Sequence, residues 1–208
     1  MECDNMDDVK THYCFPTMVT EFSYHSDDWD KKQMISYIKN AEKNDDGSSG
    51  FTVHTNDNLH SLSYFAKLRN AVLEANKNYA EKMNFIYDKI EITGMWGNCS
   101  EIGNVHPPHS HSNNLLSGVY YLKGKETSAI HFFDPRPQAD ILKPRTSQLN
   151  IENSSMTAFH PKEGTGYIFP SWLEHWVPPT KNERISISWN IILRGDYGMP
   201  GTLQNANI

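Results

Sequence analysis

The spacing of apolar residues changes character near residue 88. Before it, Phe65, Leu68, Val72, Ala75, Tyr79 and Met83 recur every three or four positions, while Lys67, Arg69, Glu74, Lys77 and Glu81 take the opposite face. That period predicts an amphipathic helix resting on an apolar support. A second helix is predicted over DDWDKKQMISYIKNAEK, with Ser26 or Asp27 as N-cap and Trp29, Ile35 and Ile38 as a ragged apolar face. CFPTMVTEF (14–22) reads as a strand that Pro16 confines to a sheet edge, and NDDGSSG (44–50) has the composition of a loop.

After residue 88 the chain runs as short β-rich segments separated by Gly, Pro and Asn: DKIEITGMWGN, LLSGVYYLK, SAIHFFD, SMTAFHP, GTGYIFPS, HWVPP and ERISISWNIIL. Such a succession predicts a sandwich or jelly roll with helices outside it, an α+β chain that is mainly β. The expected organisation is one domain over 1–208: a helical support region (1–87), a jelly-roll core (88–193) and an irregular tail (194–208).

Composition narrows the function. With 19 Lys+Arg against 25 Asp+Glu the formal charge is -6, so no basic face signals nucleic acid. Cys3, Cys14 and Cys99 are odd in number and far apart, which fits neither a disulfide framework nor a cysteine zinc site and suits a reducing cytoplasm. No apolar run has the length of a membrane span, and MECDNMDDVK lacks the apolar stretch of a secretory signal. A homodimer is compatible with the chain but not specified by it.

The densest chemistry is HPPHSHSNNLLSGVYYL (106–122). Pro107 and Pro108 forbid a helix, so the segment is extended. In a strand residues two apart share a face, which sets His109 and His111 side by side as two ligands of one cation, with His106 facing elsewhere. A third ligand has to come from a distant strand, and His175 in FPSWLEHWVPP is the candidate. Isolated histidines in β-proteins are more often hydrogen-bonded residues than ligands, so the pair alone does not decide the matter.

ERISISWN carries a second signal. Ile185, Ile187 and Trp189 alternate with Arg184, Ser186, Ser188 and Asn190, giving one apolar and one polar face. The polar face is either wet or lines a pocket in which Arg184 offers a guanidinium fork to a carboxylate beside Ser186.

In order and spacing, HxH with LSGVYYL, FFDPRP, GTGYIFPSWLEHWVPP and ERISISWN resemble the 2-oxoglutarate and Fe(II)-dependent oxygenases, in particular a small bacterial and phage branch. The likeness covers roughly residues 90–192. It implies a double-stranded β-helix (a cupin-like jelly roll), Fe(II), 2-oxoglutarate and O2, and hydroxylation of an unidentified substrate with release of succinate and CO2. It further implies His109 and His175 as iron ligands. The superfamily has Asp or Glu where this chain has His111; His111 is taken as the third ligand, with Asp134 of FFDPRP as the alternative. Arg184, nine residues after His175, implies the partner of the distal carboxylate of 2-oxoglutarate, with Ser186, Tyr121 and, on the same strand face, Ser117 beside it. Tyr120 is expected to point into packing, and Tyr167, Phe169, Trp172 and Trp176 to shield the oxidant. Arg136 either holds substrate or caps a turn, and Asn113 either supports a ligand or caps a loop.

Two other readings compete: a three-histidine cupin-type dioxygenase that uses no 2-oxo acid, and a non-catalytic jelly-roll binding module. Nothing in the sequence names the substrate.

Overall fold

A computed structural model describes residues 9–43 and 50–208 of the chain. The loop reading of 44–50 falls, but for Gly50, outside the described residues, as do Cys3 and most of the N-terminal MECDNMDDVK. Strand β1 (Thr20–Ser23) precedes helix α1 (Asp28–Asn40), which is capped by Asp27, whose carboxylate accepts from the Asp30 amide. Strand β2 (Val53–His54) and helix α2 (Ala66–Lys82) complete the N-terminal part. The predicted β-rich half contributes β3 (Lys89–Ser100), β4 (His106–His109), β5 (Leu116–Lys123), β6 (Ile130–Phe133), β7 (Met156–Phe159), β8 (Thr165–Pro170), β9 (His175–Val177) and β10 (Arg184–Arg194). In the tail, β11 (Asp196–Tyr197) pairs with β12 (Ala206–Asn207).

Two sheets form the jelly roll. The larger has the order β1-β8-β5-β10-β3-β2 and the smaller β4-β9-β6-β7. Short β1 and β2 close the two edges of the larger sheet; of the strand read over 14–22 only 20–22 pairs, at an edge, and Pro16 lies outside it.

Strand β10 shows how the alternation is used. Ile185, Ile187, Trp189 and Ile191 are fully buried and pack with Met34 and Ile38 of α1 and with Leu68, Val72 and Tyr79 of α2. Each such side chain contributes roughly 1.5–3 kcal/mol on leaving water, so this outer layer holds the helices to the sheet. The periodicity of α1 misplaces one residue: Trp29 is 64% exposed, and Met34 takes the buried position instead. The inner face of the same sheet meets the smaller one through Val119, Tyr121, Tyr167, Phe169, Ile130, Phe132 and Val177. Tyr120 and Tyr121 therefore part company. Tyr120 enters the outer core with its hydroxyl donating to Tyr24 O at 2.7 Å, whereas Tyr121 points between the sheets.

Candidate functional site

Between the sheets lies a cavity lined by His106, His109, His111, His175, Tyr121, Arg184, Ser186 and Ser188, with Val119, Ile130, Phe169 and Val177 as its apolar wall. His109 and His175 are Cα partners across β4 and β9, and their ring centroids lie 4.3 Å apart. His111 follows β4, its backbone anchored by its amide donating to Ser171 O at 2.9 Å. One nitrogen from each of these three rings lies within 4.8 Å of the others. They are the only such group of three His, Cys, Asp or Glu side chains among the described residues.

The ring orientations follow from the backbone. His109 Nδ1 is 2.7 Å from Pro107 O and His175 Nδ1 is 2.9 Å from Leu173 O. A carbonyl oxygen only accepts, so each Nδ1 carries the proton and the lone pair of each neutral ring resides on Nε2. Beside His111 stands the side chain of Asn190, whose Oδ1 accepts from Ser117 Oγ at 2.8 Å. Trp96 stacks on the His111 ring, with centroids 5.8 Å apart. Burial lowers the pKa of every imidazole here: His175 to about 3, His111 to about 4 and His109 below its ordinary value. At neutral pH all three are uncharged, as metal ligation requires.

Arg184 is 3% exposed. Its Nη2 donates to Ser100 Oγ at 3.3 Å, while Nε and Nη1 have no partner. Burial pulls its pKa down and the Tyr121 hydroxyl opposes that; a guanidinium stays protonated regardless. On the polar face of β10, Arg184 and Ser186 are therefore buried while Ser188 and Asn190 are half-buried, and Arg184 presents an uncompensated cation to the cavity. Burial raises the Tyr121 phenol, keeping it a neutral donor beside Arg184. Ser186 lines the cavity, whereas Ser117 does not: its hydroxyl bonds Ser171 Oγ and Asn190 Oδ1, both at 2.8 Å.

Asp134 is engaged elsewhere. Arg136 donates to its carboxylate through Nε at 3.0 Å and Nη2 at 2.8 Å, and this pairing holds its pKa low. Arg136 thus closes a turn. Asn113 stands at φ 61° in the turn after His111, a left-handed position that asparagine tolerates. Of the aromatics expected to shield the site, Tyr167 and Phe169 are buried, but Trp172 is 57% exposed.

His106 departs from expectation. Strict alternation turned it away from His109, yet its ring stacks on that of His109 with centroids 4.4 Å apart and 12° between planes. The cause is an irregularity between the two: His106 pairs with Val177 and His109 with His175, so three steps on β4 match two on β9. The extra residue is a bulge at Pro107 and Pro108, which supply no N–H to the ladder. Asn190 was also missed as a neighbour of His111; its place on the polar face of β10 was the available signal.

Residues 94–190 match the family described as "Putative 2OG-Fe(II) oxygenase". No curated protein matches the chain by sequence. Among solved structures, a prolyl-4-hydroxylase from Pseudomonas putida is similar at TM-score 0.61 and 11% identity, over 86% of this chain and 94% of that one. The viral collagen prolyl hydroxylase of Paramecium bursaria Chlorella virus-1, in complex with 2-oxoglutarate, is similar at 0.54 and 14%, over 83% and 94%. HygX from Streptomyces hygroscopicus, with nickel, 2-oxoglutarate and hygromycin B bound, is similar at 0.59 and 12%, over 84% and 82%. At these identities the likeness is one of fold. Over residues 94–190, a little under half of the chain, the sequence thus resembles the 2-oxoglutarate and Fe(II)-dependent oxygenases.

Proposed function

We propose that this chain is a hydroxylating oxygenase in which His109, His111 and His175 hold Fe(II) and Arg184, with Tyr121 and Ser186, binds the distal carboxylate of 2-oxoglutarate. The carrying observation is the buried guanidinium with two unpartnered nitrogens in the same cavity as three mutually close imidazoles. An unpaired buried charge is costly, so a cavity that retains one is suited to an anion. Three neutral nitrogen donors from one side suit a divalent first-row metal and leave positions for other ligands.

When bound, Fe(II), 2-oxoglutarate and O2 supply an oxidant for a C–H bond, with succinate and CO2 as co-products. The side chains contribute position and dryness. The Pro107 and Leu173 carbonyls fix which nitrogen His109 and His175 present. Trp96 stacks on His111, and Asn190 stands beside it. Arg184 orients a dicarboxylate end-on toward the imidazoles, and Val119, Ile130, Phe169 and Val177 keep water from the span between them.

An all-nitrogen set also suits a three-histidine dioxygenase that uses no 2-oxo acid. Arg184 speaks against that reading, because it leaves the guanidinium without an anion. Among the described residues no helix is long and apolar enough to cross a membrane, and three scattered cysteines fit a reducing cytoplasm. Incubating the protein with Fe(II), ascorbate and 2-oxoglutarate in air tests the reading: succinate forms by uncoupled turnover, and its complete absence with every candidate substrate contradicts it.

A further inference from the structure

His106 lines the same cavity as the three imidazoles and Arg184, yet it is not one of the three mutually close ligand candidates. Its ring packs against two other imidazoles. His109 stacks on one side at 4.4 Å, and His54 stands on another at 5.2 Å between centroids. His54 is itself fixed, since its Nδ1 lies 2.8 Å from Asn98 Oδ1. The Asn98 amide donates in turn to Ser186 Oγ at 3.2 Å and Ser188 Oγ at 2.9 Å. One connected set of side chains thus carries His106 along the cavity wall.

One ring nitrogen, Nδ1, of each of His54, His109 and His175 is bonded to protein. The ring nitrogens of His106 have no such partner among the described residues, so its donor is available to whatever fills the cavity. A dicarboxylate lying between the imidazoles and Arg184 brings more oxygens than one guanidinium pairs with, and a buried oxygen without a donor is destabilising. Val119, Ile130 and Val177 line the same cavity as His106 and Asn98 and give it an apolar surface that suits methylene groups.

Building on the reading of this cavity as a 2-oxoglutarate site, we propose that His106 is a further binding residue for the co-substrate, its ring N–H donating to a 2-oxoglutarate oxygen between the imidazoles and Arg184. His54 and Asn98 are the positioning residues that keep the ring there.

Calorimetric titration of 2-oxoglutarate into the Mn(II)-loaded protein tests this. His106→Phe keeps a ring against His109 and removes the donor, so 2-oxoglutarate binding should weaken on the order of 10- to 100-fold while Mn(II) affinity is unchanged. His106→Gln returns an N–H and should recover most of the loss. Unchanged 2-oxoglutarate affinity in His106→Phe, loss of Mn(II) along with it, or a Gln variant no better than Phe overturns the inference. If binding is abolished in Arg184→Ala but intact in His106→Phe, only the role of His106 fails. If the unsubstituted protein takes up no 2-oxoglutarate, the parent reading fails with it.

Discussion

His109 and His175 face each other across two paired strands, in register and with ring centroids 4.3 Å apart. Each donates its Nδ1 proton to the carbonyl two residues behind it, so the backbone that pairs the strands also aims the rings. Strand register is therefore part of the candidate metal centre, and the third ring is the one whose replacement is most informative.

His111→Ala should lower affinity for Fe(II) or Co(II) by more than about 100-fold, since loss of an outer partner alone costs about 10- to 100-fold. Asp134→Ala should leave it unchanged, because that carboxylate is paired with Arg136. Equilibrium dialysis with metal analysis reads both, and the reverse pattern would make Asp134 the ligand.

Asn190→Ala removes the side chain that stands beside His111 and accepts from Ser117. Metal affinity should fall by about 10-fold, the lower end of the range for outer partners, with the unfolding transition little moved. Unaltered affinity would show that Trp96 alone holds the ring.

Much of this was legible in the sequence because strand alternation is a local property. The split of β10 into Ile185, Ile187 and Trp189 against Arg184, Ser186 and Ser188 follows from backbone geometry, and so does the divergence of Tyr120 from Tyr121. His106 was misplaced because one bulge reverses facing, and no period reveals where an extra residue sits. Ser117 has the predicted facing but a different partner: Ser171 and Asn190 compete for its hydroxyl, a contact between remote segments. Trp29 failed for a simpler reason, since α1 touches the sheet along a stripe too narrow to cover it.

The metal-free protein should lose stability as pH falls below about 6.5, the ordinary value for histidine. Burial holds His111 near 4, His175 near 3, His106 near 2 and His109 below its usual value. Between those values and 6.5 the unfolded chain binds protons that the folded chain refuses, so stability rises with pH across that window. Urea unfolding at pH 5.0 and 7.5 in chelator should give the lower midpoint at pH 5.0. Equal midpoints would mean that the imidazoles are not desolvated.

Gly118→Ala should destabilise the chain by about 1–3 kcal/mol or more through overpacking. A Cβ there would lie 2.3 Å from Trp189 Cζ2 and 2.7 Å from Tyr167 O. The backbone oxygen has little room to retreat. A urea midpoint equal to that of the parent would show that the Trp189 ring moves aside freely.

The most direct test joins the three imidazoles to the guanidinium. Under nitrogen, the Fe(II)-loaded protein is titrated with 2-oxoglutarate and followed by visible absorption. The expected result is a saturable charge-transfer band that Arg184→Ala shifts to much higher 2-oxoglutarate concentration while Fe(II) remains bound. A protein that binds Fe(II) yet gives no band at any 2-oxoglutarate concentration, or a band indifferent to Arg184, would contradict it.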